Sequence, residues 1–157
     1  MRVLFLDVDG VLNSRAYVYR MRAKDKKYRL WLDVDPIAVA LLKRIVEETG
    51  CKVVLSSTWR LYKDSRDMVR NKVVRYIDCT ADLQRGSKRG IVPRGEEVKL
   101  WLDQHPEVTH YAILDDDSDF LPGQWHFKTT FNEGLTEDIT QAVIDHLSAP
   151  DRTRLYA

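Results

Sequence analysis

The 157-residue sequence predicts an α/β domain with a mainly parallel sheet flanked by helices. Two observations carry that prediction. Short apolar runs alternate with stretches of helical spacing, as in a chain of parallel βα units. Three of those runs lead straight into clusters of carboxylates or hydroxyls, as strands do when they end at a common crevice. The composition agrees: 44% of residues are hydrophobic and 31% charged, ordinary for a globular chain of one-domain length, residues 1–157.

Residues 2–6 (RVLFL) read as a buried strand closed by acids. From Ser14 to Leu32 no clean period is visible and the stretch is strongly basic, which predicts a loop or small irregular insertion. Asp35-Pro36 reads as an N-cap followed by proline at the first helical position. Ile37, Ala40, Leu41, Ile45 and Val46 continue that helix, and Gly50 ends it. Residues 52–55 (KVVL) form a second strand, 64–77 a polar helix, and 80–93 a glycine- and proline-bearing loop. Gly95 to Gln104 fits an amphipathic helix, His110 to Leu114 a third strand and Trp125 to Lys128 a fourth. Thr136 to Leu147 is the final helix, with Ile139, Val143 and Leu147 along one face.

The strand ends gather the chemistry. Asp7 and Asp9 follow the first strand, Ser56-Ser57-Thr58 the second and Asp115-Asp116-Asp117 the third. So many carboxylates around one crevice call for a cation, and oxygen ligands of this kind suit Mg²⁺. No His/Cys cluster favours zinc. An aspartate carboxylate is also a covalent nucleophile towards phosphorus.

The strings LDVDGVLN (6–13), LSSTWR (55–60) and ILDDD (113–117) resemble the haloacid dehalogenase-like (HAD) phosphohydrolase superfamily, in its compact form similar to phosphatase domains of nucleic-acid repair proteins. The resemblance covers about residues 1–120 and implies a Rossmann-like HAD fold. It implies Asp7 as nucleophile and Asp9 as the acid that protonates the leaving oxygen and then activates water. Mg²⁺ would be held by Asp7, the backbone carbonyl of Asp9, and Asp115 or Asp116. Gly10 suits the turn beside phosphate oxygens, and Ser56 is favoured over Ser57 as the phosphate ligand. The family's basic residue is usually Lys, whereas this chain offers Arg94 at a helix start, with Lys99 one turn later and Lys88 and Arg89 as alternatives. Arg60 is a candidate clamp on substrate phosphate, and Asn13 either closes the first loop around phosphate or forms a turn. Asp119 reads as a solvated turn acid. Trp31, Trp59, Trp101 and Trp125 divide between core and stacking roles, with Trp101 expected in the core and Trp59 the best stacking candidate. The four histidines show no paired spacing.

Only 42 positions separate Asn13 from Leu55, too few for a full cap domain beside the predicted helix. An open site suits a bulky substrate. Charge is also uneven: residues 1–94 carry 21 Lys+Arg against 11 Asp+Glu, and 95–157 carry 4 against 13. Residues 15–29 hold seven of those basic side chains, interleaved with Tyr17, Tyr19 and Tyr28. Such a surface can follow a phosphate backbone or simply be a solvated loop. The expected function is therefore a Mg²⁺-dependent phosphomonoesterase passing through an aspartyl-phosphate and acting on polynucleotide ends. Nucleotides or other small phosphoesters, a phosphotransferase, and a non-catalytic protein binding a phosphorylated ligand are the alternatives. No apolar run approaches the roughly 20 residues of a membrane span, the start is too short for a signal peptide, and Cys51 and Cys79 read as buried thiols. The expected setting is cytoplasmic.

Overall fold

The computed structural model describes residues 1–150 apart from Trp31, Gly86 and Arg89. The stacking candidate Trp31 and the basic alternative Arg89 thus lie outside the described residues.

Among the described residues, five parallel strands are ordered β3-β2-β1-β4-β5, with β1 (Arg2–Leu6) in the centre. β2 (Lys52–Leu55) pairs it on one side and β4 (His110–Asp115) on the other, so Leu6 sits between Leu55 and Leu114. β3 (Asp78–Cys79) and β5 (His126–Lys128) form the edges. β1 is apolar on both faces because both are covered, as parallel sheets require. Leu4 and Leu6 pack into the larger core with Leu42 and Ile45 of α2 (Pro36–Thr49) and Val143 and Leu147 of α5 (Glu137–Ser148). Val3 and Phe5 face the other way, towards Val98 and Trp101 of α4 (Arg94–Asp103). Each such large aliphatic side chain, taken fully out of water, contributes roughly 1.5–3 kcal/mol. Trp101 is a core residue as expected, edge-on to Phe5 and stacked on His105.

Besides the short edge strand β3, which the sequence did not predict, two stretches differ from the sequence expectation. Arg15–Lys24, expected as loop, is a helix, α1. Tyr17 is its one buried residue, so it has no apolar stripe to betray it. It is held by its ends instead. The Ser14 hydroxyl accepts from Tyr17 N, while Arg15 N and Ala16 N donate to the carbonyls of Phe131 and Asn132. The expected polar helix over 64–77 is shorter: a 3₁₀ turn (Thr58–Leu61), then α3 (Lys63–Met68), then a π-helical turn (Val69–Val73). The chain from Asn13 to Leu55 holds α1, α2 and a short connection, with no full cap domain. Among the described residues, no helix is long and apolar enough to cross a membrane.

Candidate active site

All strands run parallel, so their carboxyl ends share one edge of the sheet. Asp7 N donates to Leu114 O at 2.9 Å and Ser56 N to Leu6 O at 3.0 Å, which ties the ends of β1, β2 and β4 together. One carboxylate oxygen from each of Asp7, Asp115 and Asp116 lies within 4.8 Å of the others. Asp115 is fully buried and Asp7 nearly so. The turn after β1 makes the crowding possible: Gly10 has φ 75°, and a Cβ there would lie 2.2 Å from Cγ of Asp116.

The positive charge comes from Arg94. Its Nη1 lies 3.2 Å from Oδ1 of Asp7 and 3.1 Å from Oδ2 of Asp115. The first turn of α4 is pinned for this. Arg94 N donates to Oδ2 of Asp119 at 3.0 Å, and Gly95 N to the Asp119 carbonyl. Gly95 is needed there, because a Cβ would meet Leu121 N at 2.6 Å. Among the described residues the guanidinium makes no further hydrogen bond, which leaves Nε and Nη2 available. A single nitrogen serves both carboxylates, so Arg94 meets them as a Lys ammonium would.

One guanidinium does not balance three carboxylates. Burial, and then the charge of Asp115, push the Asp7 carboxyl up to about 7, against the lowering pull of Arg94 and of a hydrogen bond from Ser57. Burial also raises Asp115 and Asp116. An all-oxygen, desolvated group with surplus negative charge fits a hard divalent cation.

Asp9 stands apart from that trio. Its Oδ2 accepts from Trp59 Nε1 at 2.9 Å and its Oδ1 from Asn13 Nδ2 at 2.8 Å. Asn13 Oδ1 in turn accepts from Gly10 N at 3.0 Å. Asn13 is buried, and its amide ties Asp9 to the Gly10 N–H within the loop, the turn role of the two the sequence offered. Both hydroxyls after β2 are buried: Ser57 Oγ accepts from Trp59 N at 3.2 Å, and Ser56 Oγ has no partner among the described residues.

Three expectations are corrected. Arg60 is no phosphate clamp. Its five N–H groups go to the carbonyls of Ser56, Ser57, Thr80 and Ala81 and to Oε2 of Glu97 at 2.8 Å. Lys99 is exposed on α4 and paired with Asp103, away from the carboxylates; Lys88 is exposed in the 80–93 loop. Asp119 is half-buried, accepts from Arg94 N, and holds its second oxygen buried without a partner among the described residues. Thr129 escaped the sequence reading altogether. Fully buried beyond β5, its hydroxyl donates to Gly10 O at 2.6 Å and its N–H to Asp115 O at 3.1 Å. Its position directly after a strand is the only signal that could have pointed to it.

The family described as "HAD domain in Swiss Army Knife RNA repair proteins" matches residues 3–139. Neither a curated protein nor a solved structure matches the chain.

Proposed function

The chain belongs to the HAD domain family of Swiss Army Knife RNA repair proteins, within a hydrolase and phosphatase superfamily, and on that premise we propose a Mg²⁺-dependent phosphomonoesterase acting on polynucleotide ends. One observation carries the chemistry: a buried carboxylate trio around Arg94, with a fourth carboxylate, Asp9, held separately by Trp59 and Asn13. Binding alone has no use for that fourth group.

In this reading an Asp7 oxygen attacks phosphorus as the bond to the leaving oxygen breaks. Asp9 gives its proton to that oxygen, and the alcohol departs. Water then attacks the aspartyl-phosphate, Asp9 takes the water proton, and the bond from phosphorus to Asp7 breaks to release phosphate. Arg94 holds Asp7 in place and offers its remaining N–H groups to the phosphoryl oxygens. Ser56, whose buried hydroxyl has no partner among the described residues, is the hydroxyl left to meet the phosphoryl group, with Ser57 beside it. Asp7, Asp115, Asp116 and the Asp9 carbonyl would hold Mg²⁺, which when bound neutralises charge on the transferring phosphoryl group.

Two facts support a polynucleotide substrate. The family is described by RNA repair, and Arg15, Arg22, Lys24, Lys26 and Lys27 form an exposed basic run on and after α1. A cytoplasmic setting accords with the free thiols of Cys51 and Cys79. The test is phosphate release from 3′- and 5′-phosphorylated oligonucleotides, mononucleotides and an aryl phosphate, with Mg²⁺ or EDTA. Release should need Mg²⁺, vanish in Asp7→Asn and be fastest on oligonucleotides. Absence of release from every substrate would overturn the hydrolase reading.

A further inference from the structure

Beside Asp9 lies a cleft of about 540 Å³, bounded by Leu30, Leu32, Trp59, Tyr62 and Asp64. We propose that it receives the leaving nucleoside of the substrate, the single sugar and base whose oxygen is freed when phosphate is removed; this rests on the phosphatase reading above. Three observations converge on that occupant.

Position comes first. Asp9, the group that would protonate the leaving oxygen, forms part of the cleft wall, whereas Asp7 and Arg94 do not line it. Whatever sits there is attached to the departing oxygen, not to the phosphoryl group.

Charge comes second. Both charged side chains on the cleft are carboxylates, Asp9 and Asp64, and no basic side chain among the described residues lines it. A further phosphate would be repelled, while an uncharged nucleoside would not. The neighbouring cleft of about 370 Å³ is different, since Arg60, Arg85 and Arg94 line it and offset its carboxylates, Asp82, Glu97 and Asp119. The cleft at Asp9 therefore suits one terminal nucleoside, with the rest of a polyanion outside it. Its volume matches a ligand of that size.

Shape comes third. The Trp59 ring is fixed by its bond to Asp9 and presents an aromatic wall, with Tyr62, 66% exposed, as a second. Aromatic faces of this kind stack on any base. The opposite wall is built with strain. Leu32 has φ 46°, the one positive φ outside glycine among the described residues. Asp33, next in sequence, holds it there: its Oδ2 accepts from Tyr17 and Tyr28 hydroxyls at 3.0 and 2.7 Å, and its Oδ1 from Val34 N.

The test compares kcat/KM on phosphorylated nucleosides and on the matching phosphorylated abasic sugars, with calorimetry of unphosphorylated adenosine. Wild type should prefer the base-bearing substrates by about tenfold or more, as expected for one stacked base. That ratio should fall towards one in Tyr62→Ala, whose side chain is too exposed to be needed for folding. Adenosine should bind wild type and Asp7→Asn and fail to bind Leu30→Trp, whose larger side chain fills the cleft. Release without base preference, or adenosine binding untouched by Leu30→Trp, overturns the subsite alone. No release from any phosphate overturns the hydrolase reading, and with it the leaving-group role.

Discussion

The sheet's carboxyl edge holds two arginines with opposite occupations, Arg60 buried and Arg94 partly exposed. At the β2–β3 end, Arg60 is saturated: four carbonyls and Glu97 take all five of its N–H groups. At the β1–β4 end, Arg94 spends one nitrogen on Asp7 and Asp115 and keeps the others. Arg60 closes the loops around it. Arg94 is poised beside charge it does not fully neutralise. The difference teaches that proximity to the carboxylates does not leave an arginine's donors available: Arg60 has spent all of its donors, and Arg94 has not.

The largest effect should come from breaking the saturated end. Arg60→Met leaves Glu97 buried without its partner, where burial already pushes its carboxyl up. We expect a loss of about 3–5 kcal/mol in denaturant unfolding. The double variant Arg60→Met/Glu97→Leu should recover part of it, since an apolar replacement of both partners strands no charge. If the single variant unfolds like wild type, Arg60 is not the anchor described.

Next comes the unsaturated end. Arg94→Ala should lower turnover about 10²–10³-fold, the usual cost of one preorganised donor at developing charge. It should cost less unfolding free energy than Arg60→Met. Arg94→Lys should retain more activity than Arg94→Ala, because only one nitrogen meets the carboxylates. Equal loss in the two variants would show that the fork itself is needed.

A third effect sharpens the same contrast through pH. The folded Asp7 carboxyl sits near 7, well above its ordinary value of 3.8. A raised acid favours the folded state while protonated, so the benefit is complete below its unfolded value and is lost as pH rises through the folded one. In EDTA the melting temperature should therefore fall between about pH 4 and pH 7, less steeply in Asp7→Asn. Mg²⁺ should flatten the slope by binding the ionised trio. A slope unchanged by Mg²⁺ would count against cation binding at these three acids.

The same contrast explains what could be read from the chain alone. β1, β2, β4, α2 and α5 were legible because each buries a periodic apolar face or run. α1 was not, because it is held by Ser14 and by the carbonyls of Phe131 and Asn132, partners more than a hundred residues away. The two-residue β3 is too short to leave a pattern. At the site, acids at strand ends are visible because the fold's geometry makes strand ends converge. Arg60 misled because sequence shows that it lies near Ser56 but not that five acceptors surround it. Asp119 and Thr129 escaped for a related reason. They act through backbone atoms of Arg94, Gly10 and Asp115, and no residue pattern records that.

The central place of β1 has a consequence for the order in which the molecule assembles. Arg2 pairs with His110, and Leu6 with Leu114, across most of the chain. During synthesis from the amino terminus, Asp7 exists long before Asp115 and Asp116 emerge. The cost of crowding three acids is thus deferred until the β1–β4 ladder zips, a slow, high-contact-order event. Until then the nascent chain carries an ordinary solvated aspartate, and the three acids are brought together only when β4 pairs with β1.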